Sequence, residues 1–156
     1  MTTARPNARA GFTLVEVAMV LAIVSILARI ALPNVQEAIT RARATAAVGD
    51  VEVVRTAAAA FYARSNQWPG EAPAGVVPEG LDADLPDGFT FDRGTYQLDW
   101  ERWTLPEVPG GSSSNTLLGV SISTEDELLG NAVAALMGPR GWYTLGHNAT
   151  FLVSGM

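Results

Sequence analysis

Gly11-Phe12-Thr13-Leu14-Val15-Glu16 opens a run of 21 residues, Phe12 to Leu32, that holds only two charges, Glu16 and Arg29, and is followed by Pro33. At about 1.5 Å per helical residue this run reaches roughly 31 Å, the hydrocarbon thickness of a bilayer. Residues 1–11 are polar, small and basic through Arg5 and Arg9, so they are expected to stay on the cytoplasmic side and send the rest of the chain outward. Arg29 lies near the far end of the run, where its long side chain can snorkel to the interface. Glu16 is harder to place. A lone carboxylate at membrane depth costs on the order of 2.5 to 3.5 kcal/mol on insertion scales, so such a residue is usually functional or paired.

A cleaved secretory signal is the competing reading of this segment. The apolar run exceeds the usual ~7 to 15 residues of such signals. The nearest Ala-x-Ala, Ala42-Arg43-Ala44, falls well past its end, inside an amphipathic helical pattern.

The composition limits what the remainder can do. The chain has 156 residues, enough for one compact domain plus one extra segment. All ten basic residues are Arg, set against 16 acids. Because Arg5 and Arg9 precede the apolar run, the chain from Phe12 onward carries 8 Arg against the same 16 acids. That balance argues against a nucleic-acid partner, which needs clustered positive charge to neutralise phosphates. With no Cys there is no disulfide, thiolate nucleophile or Cys-ligated metal.

The opening hexapeptide, the apolar run behind it and the proline that follows resemble the class III signal of type IV pilins and type II secretion pseudopilins. The resemblance implies that a membrane aspartyl peptidase, the prepilin peptidase, cuts between Gly11 and Phe12 and methylates the new N-terminus at Phe12. Glu16 then becomes the fifth residue of a 145-residue mature chain, and Pro33 stands where many members bend the helix. Three regions are implied: a leader at 1–11, a membrane and filament-core helix at 12–33, and a globular head at 34–156 that includes the second half of the long helix. The implied fold is α+β, a long N-terminal helix packed on a small antiparallel sheet.

The implied function is that of a structural filament subunit, not an enzyme; no cofactor or metal is expected from the residues themselves. Its implied partners are like subunits, the peptidase, an inner-membrane assembly platform and, before assembly, membrane lipid. The location is the bacterial inner membrane, single-pass with the head outside the cytoplasm, then a periplasmic or cell-surface filament. Many adhesive major pilins close a C-terminal loop with a disulfide, so the absence of Cys favours a type II secretion pseudopilin over a major or minor type IV pilin. A signal-anchored envelope enzyme or ligand-binding module is the alternative from another class.

The role of Glu16 also follows from elementary electrostatics. Cleavage of the leader leaves an α-amine beside an apolar helix, and that cation needs a partner when it leaves water. At about 4 Å and an effective dielectric near 20, a carboxylate attracts it by roughly 4 kcal/mol before desolvation costs. Glu16 lies one turn down the helix and can face the amine of its own chain or of a neighbour.

Beyond Pro33, which should kink or locally melt the helix, helical periodicity resumes. Val35, Ile39, Ala42, Ala46, Val53, Ala57 and Phe61 form a stripe, widened by Val51, Val54 and Ala58, and the helix should end near Ser65 before Asn66-Gln67-Trp68-Pro69-Gly70. An acidic loop is expected from Pro69 to Gly88. Strands are expected at Phe89–Phe91, around Tyr96, Leu98 and Trp100, and over Leu117–Ile122. A helix with Leu128, Leu129, Val133, Leu136 and Met137 as its apolar face should be capped by Ser123 or Thr124. A hairpin of Trp142–Leu145 and Thr150–Val153 closes the chain. Asp82, Asp84 and Asp87 offer oxygen ligands of the kind calcium takes, but their spacing does not fit an EF-hand loop, and they are taken as solvated loop acids. His147, beside Gly146 and Asn148, reads as a turn residue.

Overall fold

The computed structural model describes residues 12–104, 116–137, 142–145 and 148–155. The chain divides into two compact units, residues 1–38 and 39–156. One helix, α1 (Leu14–Ser65), has its first part in one unit and its second part in the other.

In the first unit every described side chain is exposed, apolar ones included. Backbone hydrogen bonding sustains the helix there, because no described residue of the unit packs against it. Ser25 returns its hydroxyl proton to the Leu21 carbonyl (2.6 Å), which satisfies the group within the helix. Pro33 lies inside α1, and helical structure continues on both sides of it, so no local melting is seen.

In the second unit α1 becomes one-sided. Ala44, Ala47, Val51, Val54, Ala57 and Ala58 are buried, at spacings of three and four. Val51, Val54, Ala57 and Ala58 were expected in the stripe. Val35, Ile39, Ala42 and Ala46 were also expected there but are exposed, while Val53 and Phe61 are only half-buried. The buried line follows the positions first read as its margin, and Ala44 and Ala47 extend it backward. Four of its six members are Ala, so the helix axis can approach the sheet closely and leave room for Trp100. Asn66 ends the helix in the left-handed region (φ 54°), its N–H donating to the Tyr62 carbonyl (2.8 Å).

The sheet has four antiparallel strands: β1 (Gln97–Thr104), β2 (Thr116–Ser123), β3 (Trp142–Leu145) and β4 (Asn148–Gly155). Their spatial order is β1-β2-β4-β3, so β4 fits between β2 and its hairpin partner β3. Gln97 pairs with Ser123 and Thr104 with Thr116, and the β2/β4 register shifts between Leu118 and Gly119. Leu98, Trp100, Leu118, Val120, Ile122 and Ala149 alternate onto the core face, joined by Leu129 and Val133 of α2 (Glu127–Met137). The expected strand at Phe89–Phe91 is absent. Phe91 is buried as a loop anchor, its ring edge-on to Phe89 at 6.2 Å, and the only pairing nearby is an isolated bridge from Asp92 to Gln97.

Two clamps hold the long loop onto α1. Arg93 grips Asp50 with both arms (2.8 and 3.0 Å) while Tyr96 donates its hydroxyl to the same carboxylate (2.6 Å), and the Phe89 ring lies under the guanidinium. Arg64 reaches Asp84 at 2.7 Å. Burial and the Asp50 carboxylate push the Tyr96 hydroxyl far up, so it stays protonated and keeps donating. Trp100 is fully buried and donates its indole N–H to the Pro69 carbonyl (3.1 Å).

Candidate functional site in the N-terminal helix

α1 begins at Leu14, which makes Thr13 the N-cap and Glu16 the third helical residue. The Glu16 N–H donates to the Thr13 hydroxyl oxygen (3.3 Å), and Glu16 Oε2 accepts the Thr13 backbone N–H and hydroxyl (2.9 Å each). This reciprocal pair is a capping box, and it satisfies two donors that a helix start leaves open. The pattern Thr-x-x-Glu ahead of an apolar run would have disclosed it from sequence. An acid in the first turn also suits the positive end of the helix dipole.

Glu16 is therefore a charged cap on a segment that, Ser25 aside, is apolar all round from Val17 to Ala28. Phe12 (75 % exposed), Leu14, Val15, Met19 and Leu27 lack cover within the chain. Among the described residues, α1 is the one helix long and apolar enough to cross a membrane. Only Oε2 of Glu16 is engaged. Oε1 has no hydrogen bond among the described residues, so the carboxylate retains a free oxygen for a second cationic partner.

Of the residues singled out in sequence, Phe12 and Glu16 lie at the start of α1, Pro33 lies within it, and Gly11 lies outside the described residues. Asp82 and Asp84 form a short 3-10 turn, and Asp84 is committed to Arg64. Among the described residues no three His, Asp or Glu side chains gather as a metal set. His147 lies outside the described residues.

With the capped acid on an exposed apolar helix, comparison with known proteins becomes informative. Residues 6–31 match the prokaryotic N-terminal methylation motif, which encloses Gly11, Phe12 and Glu16. The chain is type IV pilin-like. It is 40 % identical over 72 residues to the type IV major pilin protein PilE1 of Neisseria gonorrhoeae, a match covering 46 % of this chain and 34 % of that protein. It is 47 % identical over 84 residues to a fimbrial protein of Pseudomonas aeruginosa, covering 54 % and 51 %. To fimbrial protein Q of Moraxella bovis it is 46 % identical over 90 residues, covering 57 % and 53 %. The pilin-like chain thus matches from about a third to about half the length of these curated relatives. No solved structure matches it significantly. The relatives bear the names of structural pilus proteins, not of enzymes, in keeping with a site built from a helix cap and apolar side chains.

Proposed function

We propose that this chain is a structural subunit of a type IV pilus-like filament. It is made as a precursor with a leader at 1–11, held in the membrane by 12–33, and carries its head at 34–156. The observation behind this is α1 itself, whose first half is uncovered on all sides and opens on a capped carboxylate with one free oxygen. An apolar surface of that extent is stable in lipid, or in a bundle of like helices that buries it as well as lipid does. Cleavage after Gly11 by a prepilin peptidase would put a methylated amine on Phe12, one turn from Glu16. Pairing of that amine with Glu16 of the same or a neighbouring copy would set the stagger between subunits. Pro33 would bend the helix where it leaves the bilayer.

The partners are then like subunits, the peptidase, an inner-membrane assembly platform and lipid. The location is the inner membrane, single-pass with the head outside, and then the filament. The absence of Cys supports a secretion pseudopilin, whereas the names of the relatives support a surface pilus.

Shear and membrane fractions of the native host test the reading. We expect assembled chain whose first residue, by mass spectrometry, is N-methylated Phe12, and loss of the assembled form in Glu16→Leu. A chain starting at Met1, or wild-type assembly in Glu16→Leu, overturns it. Release of filaments by shear alone places them on the surface; filaments retained until the outer membrane is opened place them in the periplasm.

A further inference from the structure

Between Glu16 and Glu37 the only charged residue of α1 is Arg29. It is exposed and has no ion pair among the described residues. In a bilayer it needs none from protein, because an Arg near the end of a span snorkels to headgroup phosphate and water. A bundle of like helices removes that phosphate. The guanidinium cannot give up its proton, so away from the headgroups it requires an anion from protein. The acids of α1 are Glu16, Glu37, Asp50 and Glu52. Asp50 is held by Arg93 and Tyr96, and Glu52 by Arg55. Glu16 lies roughly 20 Å back along the helix from Arg29, and Glu37 roughly 12 Å ahead. Glu37 is exposed, but it stands about 80° round the helix from Arg29, so the two do not face each other within one chain.

We propose that Arg29 pairs with Glu37 of a second copy of this chain in the assembled filament. This rests on the filament reading above, in the form where the Phe12 amine meets Glu16 of a neighbour. Copies that enter a membrane the same way round form a parallel bundle. An amine at residue 12 facing position 16 then sets each residue of one copy beside the residue four further along the next. Arg29 comes level with Pro33 of the neighbour, and Glu37 of that neighbour lies one turn beyond, about 6 Å along the axis. Six side-chain bonds of about 1.5 Å, in zigzag, carry the guanidinium about 7 Å from its Cα. Neighbouring helices pack about 8 to 10 Å axis to axis, with side chains filling the gap, so the carboxylate is in reach.

One stagger therefore serves both charge pairs, amine with Glu16 and Arg29 with Glu37, and leaves no cation of the apolar segment alone. On leaving lipid Arg29 exchanges a phosphate for a carboxylate, one anion for another, so its end of the span is served in either surrounding. Arg41 stands one turn after Glu37, and a carboxylate with two oxygens has room for both guanidiniums.

Charge exchange in the full-length protein tests this. Arg29→Glu and Glu37→Arg, each alone, set like charges face to face and should lower the ratio of assembled to membrane-held chain by about tenfold or more. The double variant should recover most of that loss. Ratios are normalised to N-methylated chain, so that failure to insert or to be processed is not scored as failure to assemble. Single variants that assemble like wild type, or a double variant no better than the singles, overturn the proposal. A crosslink gives a second readout. The chain has no Cys, so Arg29→Cys in one tagged chain and Glu37→Cys in another supply one thiol each. Both are diluted into wild-type chain and the assembled fraction is treated with a short bis-maleimide. The two kinds of chain should be linked to each other more often than random mixing gives; links only within one kind, or none, overturn the proposal. If the wild type itself yields no assembled fraction, the filament reading fails and this inference fails with it. If the wild type assembles while rescue and mixed link are missing, only this inference falls.

Discussion

The observed cap of Glu16 and its proposed charge pairing are separated by a pair of substitutions. As a cap it accepts the Thr13 N–H and hydroxyl through Oε2 (2.9 Å each), a pairing worth about 1 kcal/mol. As a charge it would hold an α-amine, worth roughly 4 kcal/mol at 4 Å and an effective dielectric near 20 before desolvation. Gln serves a capping box as well as Glu does, so Glu16→Gln keeps the helix start and removes only the charge. Thr13→Ala does the reverse. If the charge governs assembly, Glu16→Gln should cut the assembled fraction by about 30-fold, with half of the 4 kcal/mol taken as desolvation that the wild type also bears. Thr13→Ala should then cost fivefold or less. The assay is quantitative immunoblotting of sheared and membrane fractions, normalised to N-methylated chain so that processing and assembly are scored apart. Glu16→Gln assembling like wild type, with Thr13→Ala failing, would refute the charge argument and reduce Glu16 to a helix cap.

The head offers three further tests. Asp99 is pushed up to about 6 by burial, then by Glu101 and Glu71, from an ordinary 3.8. A raised folded-state value means that its share of stability is present below 3.8 and lost as pH rises through about 6, so Asp99→Asn should gain about 1 to 2 kcal/mol at pH 8, roughly 5 °C in a melt, and nothing at pH 3.5. A variant less stable than wild type at pH 8 would contradict this. Asp50→Ala strands Arg93 and the Tyr96 hydroxyl, both half-buried or deeper, and should cost about 2 kcal/mol by urea denaturation. In a double-mutant cycle most of that cost should vanish against Arg93→Ala. Asp126→Ala removes the acceptor for the Leu128 and Leu129 N–H groups and should lower stability by about 1 kcal/mol, while Ser123→Ala should be nearly silent.

These residues also show which parts of the molecule the chain makes plain. The apolar run, the end of α1 at Ser65, the strands around Trp100 and Val120 and the closing hairpin were legible because each has a strong period or a strong stop signal. The cap of α2 was misplaced. The Thr124 hydroxyl is held by the Thr95 carbonyl, 29 residues away, and its oxygen accepts the Asp126 N–H in a turn, while Asp126 takes the Leu128 and Leu129 N–H groups, so the helix starts two residues later than a Thr124 cap would set it. No local pattern encodes that competition. Phe89–Phe91 failed as a strand for a related reason: the Arg93–Asp50 clamp and the buried Phe91 hold this stretch as a loop, and both depend on residues more than thirty positions away. At the site, Phe12 and Glu16 stood out at once, whereas Thr13 went unnoticed although its spacing of three from Glu16 carries the capping-box signature.

The order of polar groups along the first part of α1 has its own logic. Thr13 and Glu16 stand at its beginning, and Arg29, Pro33 and Asn34 gather some twenty residues later. Pro33 has no N–H to offer the Arg29 carbonyl, so that acceptor loses its helical partner. In the middle of a bilayer such a loss would cost several kcal/mol. At residue 29, roughly 25 Å along the helix from Phe12, the carbonyl is close to the headgroups, where water can serve it. Asn34 turns its amide back to the Ile30 carbonyl (3.4 Å) beside it, so its own polar group is partly served inside the helix. Between these ends, Ser25 alone carries a side-chain hydrogen-bonding group, and it is closed onto Leu21. The segment thus keeps its unmet polar groups at its two ends. On the proposed function that arrangement suits a span that leaves lipid for a bundle: its middle would ask the same of either surrounding, and only the Glu16 end would discriminate between them.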